Sequence, residues 1–103
     1  MTGVFVILTS KPGQFRTEPG EGVRPVETYD YIAHGRNRAR FVIGELMHEG
    51  KIRVIDENAP PVVNNVPSKF FPRFESLEKA RHELGQLAGL PENGTGNRLI
   101  KVT

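Results

Sequence analysis

The chain opens on an apolar run, Val4-Phe5-Val6-Ile7-Leu8, that stops at Ser10-Lys11-Pro12-Gly13. A short β-branched and aromatic run closed by a Pro-Gly pair reads as a buried strand ending in a turn. Gln14 to Glu18 can fold back as a short partner strand, and Pro19-Gly20-Glu21-Gly22 follows as an irregular surface loop. Two glycines and a proline sustain neither ladder nor helix. From Val26 to Ala33 the pattern alternates, with Val26, Thr28, Asp30 and Ile32 on one side and Glu27, Tyr29, Tyr31 and Ala33 on the other. That period of two predicts a strand. His34-Gly35-Arg36-Asn37 predicts the hairpin turn after it, since Gly35 takes positive φ without cost.

Two periods compete in the next segment. Ala39, Val42, Ile43, Leu46 and Met47 follow the spacing of one helix face, which gives a helix at about 37–49 as an alternative. Arg36, Arg38 and Arg40 would then crowd its N-terminus and Glu45 and Glu49 its C-terminus, and both placements oppose the helix dipole. Phe41-Val42-Ile43 prefers a strand, so a strand from Arg38 to Leu46 is the first reading. Met47-His48-Glu49-Gly50 turns the chain into a further strand from Lys51 to Glu57.

The segment 58–73 carries Pro60, Pro61, Pro67 and Pro72 among Val62, Val63, Val66, Phe70 and Phe71. Proline forces extended or turning backbone, so a long Pro-rich loop is expected, packed flat over the sheet with its valines buried. The clearest element is an amphipathic helix over about 77–88. Ser76 caps it, Leu77, Ala80, Leu84 and Leu87 form its apolar stripe with Ala88 beside them, Lys79 and Glu83 form an outer pair, and Gly89 and Pro91 end it. Leu99-Ile100-Lys101-Val102 reads as a last strand after a Gly/Asn loop. The fold class is therefore α+β: a meander-like antiparallel β-sheet of about four to five strands, covered on one face by the C-terminal helix, within a single α+β domain spanning 1–103.

Composition narrows the chemistry. The chain of 103 residues has no cysteine, which excludes disulfides, thiolate metal sites and cysteine nucleophiles. No stretch approaches the roughly 20 apolar residues of a spanning helix, and Met1 to Leu8 lacks a basic leader. A cytoplasmic protein without membrane contact is the expectation. His34, His48 and His82 fall on two turns and a helix without metal-ligand spacing, so no metal, cofactor or catalytic residue is assigned. Asp56 and Glu57 are neighbours on a strand and point to opposite faces, which prevents joint acid–base work.

Two surfaces remain as candidates. A hairpin looping at Gly35-Arg36 pairs Ala33 with Arg38, Tyr31 with Arg40 and Tyr29 with Val42, placing Tyr29, Tyr31, Arg38 and Arg40 on one face. Tyrosines stack on bases and arginines contact phosphates, so this face suggests nucleic-acid or anion binding, specifically of a single strand. The bland counterpart is cross-strand packing that only stabilises the hairpin. The second surface is the loop with Lys69, Phe70, Phe71 and Arg73, followed by Phe74. Three phenylalanines in five residues exceed what one loop normally buries, leaving one ring for a partner while the others plug the core.

These features suggest a non-catalytic interaction or accessory domain, such as a small subunit or regulator of a larger enzyme assembly, with a protein partner or self-association. Single-stranded nucleic-acid binding through the Tyr/Arg hairpin is the alternative. A third reading is a small-molecule-binding or enzymatic domain whose sheet–helix cleft uses His34, Asp30 or Asp56.

Overall fold

The computed structural model describes residues 3–58, 60–87 and 98–102. In chain order they form β1 (Phe5–Ser10), β2 (Phe15–Glu18), β3 (Val23–Ala33), β4 (Arg36–Leu46), β5 (Lys51–Asp56), β6 (Val63–Pro67), a 3₁₀ turn (Ser68–Phe70), α1 (Leu77–Leu87) and β7 (Arg98–Lys101). The α+β class with antiparallel strands and one C-terminal helix is as the sequence predicts. The strands divide into two open sheets, ordered β1-β4-β3-β7 and β2-β5-β6, where the sequence suggests one meander.

Residues 36–46 are strand, and the helix alternative over 37–49 falls. The helix-like spacing has a simple cause: β4 is apolar on both faces because both are covered. Ala39, Phe41 and Ile43 pack with Ala80 and Leu84 of α1. Val42 and Leu46 pack with Val6, Leu8, Val23 and Ile52 on the other face. A strand covered on both sides loses its alternation and reads as a continuous apolar run.

The second sheet begins where β1 ends. Gln14 to Glu18 does not become a ladder partner of β1; β2 pairs with β5 and meets β1 through a single bridge, Lys11 with Phe15. Side chains fasten that junction, since the Thr17 hydroxyl donates to the Thr9 carbonyl at 2.5 Å and the Thr17 N–H donates to Ser10 Oγ at 2.8 Å. Gly20 holds the other end close, because a Cβ there would run into the Lys51 carbonyl oxygen. The Pro-rich segment is not a plain connection. Its centre is β6, the outer strand of the second sheet, and Val62 and Val63 are 49% and 46% exposed rather than buried.

The β3–β4 hairpin turns at His34-Gly35, both with positive φ (54° and 73°), the conformation of a two-residue primed turn. Ala33 accordingly pairs with Arg36. The register then shifts twice: Arg38 is an extra residue in β4, and Val26 is an extra residue in β3 next to Pro25. Pro25 has no N–H to give to a ladder, which makes a bulge there natural. Between the two bulges Tyr31 pairs with Ala39, Tyr29 with Phe41 and Glu27 with Ile43.

In α1 the Ser76 hydroxyl accepts the Lys79 N–H at 3.1 Å, the expected cap. Lys79 pairs with Glu75 rather than Glu83. Ala88, Gly89 and Pro91 lie outside the described residues. Leu84 is 1% exposed, whereas Leu87 is 53% exposed and stands off the core. Leu84→Ala is therefore expected to cost about 2–5 kcal/mol of unfolding free energy. Leu87→Ala is expected to change it by less than about 0.5 kcal/mol; urea denaturation of both variants checks the contrast.

Candidate functional site

A strongly apolar concavity lies between α1, the edge of β1 and the second sheet. It has a volume of about 340 Å³, with Ile7, Phe15, Val54, Phe71, Phe74 and Leu87 on its walls and Glu83 at its rim. A groove of this size falls at the lower end of known ligand pockets. Each wall has a local cause. Phe15, Thr17 and Val54 share the face of the second sheet that the Thr17↔Val54 pairing turns toward β1. Leu87 extends the helix stripe beyond the first sheet, which explains its exposure.

The backbone of β1 makes this groove more than a hollow. Val4, Val6, Leu8 and Ser10 direct their backbone groups toward β4, and Phe5, Ile7, Thr9 and Lys11 direct theirs outward. On that outer edge Phe5 exchanges two hydrogen bonds with Phe74, both 2.9 Å, and the Lys11 N–H donates to Phe15 at 2.8 Å. The Thr9 carbonyl takes the Thr17 hydroxyl. Between these fastenings the Ile7 N–H and C=O have no partner among the described residues. An unpaired backbone pair beside apolar side chains is unusual, since such groups are nearly always matched.

Two polar clusters brace the groove from outside. Glu27, 5% exposed on the helix face of β3, receives Arg81 Nε at 2.9 Å, a second Arg81 nitrogen, the Tyr29 hydroxyl at 2.8 Å and Lys101 Nζ at 3.3 Å. The Arg81 hydrogen bonds hold its pKa down to about 2 against the cost of burial. Burial and the hydrogen bond to Glu27 raise that of Tyr29. Every oxygen of Glu27 is occupied, so this cluster locks α1 to β3 and β7 rather than offering a reactive group. On the other side Ser68, 1% exposed, donates to Glu49 at 2.6 Å and accepts the Gly50 N–H at 3.0 Å. Glu49 also binds Arg73 at 2.6 Å, and Ser68 followed by Arg73 lowers its pKa.

The structure separates the residues of the Tyr/Arg face. Tyr29 and Tyr31 lie under α1, packed against Ala39, Phe41 and Ile43. Arg40 lies on the opposite face, forked onto Asp30 at 2.7 and 3.0 Å, which lowers the Asp30 pKa. Arg38 sits at the bulge and donates from Nε to the Ala33 carbonyl at 3.3 Å. The shared face is thus not formed. The turn alone would have left Tyr31 opposite Arg38 and Tyr29 opposite Arg40; the extra residue at Arg38 prevents it.

In the phenylalanine loop, Phe71 packs beside the Val6–Leu8 cluster and Phe74 beside the helix cluster. Phe70 is 69% exposed, with Lys69 Nζ 5.7 Å above its ring, and Arg73 is held by Glu49. His34, Asp30 and Asp56 do not line the apolar groove; Asp56 accepts the Asn58 N–H at 2.8 Å. Among the described residues no group of three or more His, Asp or Glu gathers as a metal site, and no helix is long and apolar enough to cross a membrane. Sequence reasoning missed Ile7, Phe15 and Val54 as one surface, and the Glu27–Arg81 pair. The only signal was the full apolar count of β1, more than one covered face requires.

Comparison with known families, curated proteins and solved structures returns no match for this chain.

The lowered Glu27 pKa has a consequence for stability. Its contribution is complete above the unfolded value of 4.5 and is lost as pH falls from 4.5 toward about 2. Glu27→Gln is expected to cost about 1–3 kcal/mol near neutral pH. The gap between variant and parent should close across that acid window, as followed by denaturant unfolding at a series of pH values.

Proposed function

We propose that this chain is a non-catalytic interaction domain that takes an extended segment of a partner protein at the β1 edge, as an accessory subunit or regulator of a larger assembly. The Ile7 N–H and C=O, without a partner among the described residues and opening on an apolar groove, carry this reading. Addition of a strand to an exposed sheet edge supplies main-chain hydrogen bonds, and pockets for alternate side chains supply selectivity. Both components are present: Ile7 offers one donor and one acceptor, and Phe15, Val54 and Phe74 offer a place for an apolar side chain. Glu83 at the rim favours a basic flank on the incoming segment. Phe70, exposed next to the groove residue Phe71, is a ready aromatic contact for the same partner.

The outer edge of the other sheet supports the choice by contrast. β6 is flanked by Pro60 and Pro61 before it and ends in Pro67, the usual means of blocking edge pairing. Among the described residues the β1 edge around Ile7 has no such guard. A cytoplasmic location is part of the proposal and rests on the cysteine-free sequence.

Selection of displayed random peptides against the whole chain tests it. The expected winners carry alternating apolar residues and bind at least tenfold more weakly, about 1.4 kcal/mol, after N-methylation of the central peptide unit. Leu87→Glu, at an exposed groove position, is expected to weaken them similarly without unfolding the protein. Peptides indifferent to both changes would count against the β1 edge as the site.

A further inference from the structure

The strand order of the first sheet gathers cations that the sequence scatters. At the hairpin end of that sheet, Ala33 pairs with Arg36 and Ile32 with Arg98. Lys11 follows directly on Ser10, which pairs with Arg40. Three of the four strands therefore place a cation on this rim: Lys11 after β1, Arg36 and Arg38 in β4, and Arg98 in β7, while β3 ends at Ala33 in the turn between them. Arg40 is neutralised by Asp30, and Arg16 nearby by Glu18 and Glu57. Lys11, Arg36, Arg38 and Arg98 form no ion pair among the described residues. The formal charge of the whole chain is only +2, so this end is positive against a net acidic remainder.

We infer that this rim binds the sugar–phosphate backbone of a nucleic acid, by charge and without reading bases. Four strand ends span about 14 Å at the usual spacing of about 4.8 Å, which suits a polymer of regularly placed charges better than a single small anion. Arg38 is prepared for the contact. Its Nε is held by the Ala33 carbonyl at 3.3 Å, which fixes the plane of the guanidinium and leaves its terminal nitrogens to fork onto a phosphate. Beside the rim a hollow of about 380 Å³ is lined by Ser10, Arg16, Asn37, Arg40 and Glu57. Its arginines are already paired with carboxylates, so it gives room to a sugar while the phosphates fall to the four rim cations.

The surroundings argue against the other polyanions. Among the described residues Ile100 is the large exposed apolar side chain nearest the rim, while Val26, Met47, Val62, Val63, Phe70 and Leu87 lie elsewhere. A single aliphatic residue is not the apolar face by which interfacial elements enter a membrane. Tyr29 and Tyr31, the rings that would stack on bases, are turned under α1. Recognition is left to phosphates, which carry one charge per unit whatever the sequence. None of the four rim cations lines the apolar groove, although the hollow beside the rim shares Phe15 and Thr17 with it.

Fluorescence anisotropy with labelled single-stranded and duplex oligonucleotides tests it. Binding of at least one of them is expected to fall on the order of 100-fold between about 50 and 200 mM salt, as four phosphate contacts require. The Arg36→Ala/Arg38→Ala variant should bind at least tenfold more weakly and lose about two from the log–log salt slope. Lys79→Ala, on the far side of α1, should leave binding unchanged, and the rim variant should keep its circular dichroism and its groove peptides. Failure to bind either oligonucleotide at low salt, an unaltered slope in the rim variant, or equal displacement by polyglutamate would overturn the inference. The last outcome would point to an acidic polypeptide.

Discussion

One residue more in β4 at Arg38, and one more in β3 at Val26, set the orientation of every side chain between them. The first bulge shifts the pairing of the two strands by one residue, and the second shifts it back. The stretch Glu27 to Tyr31 therefore presents Glu27, Tyr29 and Tyr31 to the helix while the outer parts of the hairpin keep the register of the turn. Helix docking depends on this arrangement. Arg81 can reach Glu27 only because that carboxylate faces α1, and Ala80 and Leu84 find Phe41 and Ile43 on the same side. Without the shift at Arg38 the turn would set Tyr31 opposite Arg38 and Tyr29 opposite Arg40, and the apolar partners under the helix would be lost.

That dependence explains what the sequence reveals and what it does not. The strand of Val26 to Ala33 and its alternation are legible because side-chain period is a local property. The Ser76 cap and the Ala80–Leu84 face are legible for the same reason. The pairing across the hairpin is not, since it hinges on a proline without an N–H on one strand and an extra arginine on the other. Alternation within β3 correctly separates Tyr29 from Asp30, but cross-strand neighbours need the register as well. The groove is hidden for a different reason: Ile7, Phe15, Val54 and Leu87 come from four elements that only the two-sheet topology brings together. Phe70, Phe71 and Phe74 sit between these cases. Their number signals that one ring stays out, while its identity follows from the 3₁₀ turn that aims Phe70 away from both cores.

The two sheets and the helix meet around β1 without sealing its outer edge. Phe74 fastens it ahead of the helix and β2 fastens it at the turn, so the gap at Ile7 is framed on both sides by hydrogen bonds. The Glu27–Arg81 and Ser68–Glu49–Arg73 clusters hold the framing elements in place. A rigid frame around an open edge lowers the entropic cost of ordering a bound segment, because only the incoming chain has to become fixed. The cations of the basic rim lie outside the groove, toward the hairpin end, and among the described residues the two surfaces meet only at Phe15 and Thr17.

The paired bulges also govern how this chain can change in length over generations. Removing an extra residue, alone or with the other, would leave every remaining pair in place, whereas removing a paired residue between them would shift everything beyond it by one. Removing both extra residues together restores an unbroken ladder in which every remaining pair and every face is kept. Arg38 and Val26 are thus the positions at which this hairpin can shorten without losing its register, while a deletion elsewhere between them must be matched on the opposite strand.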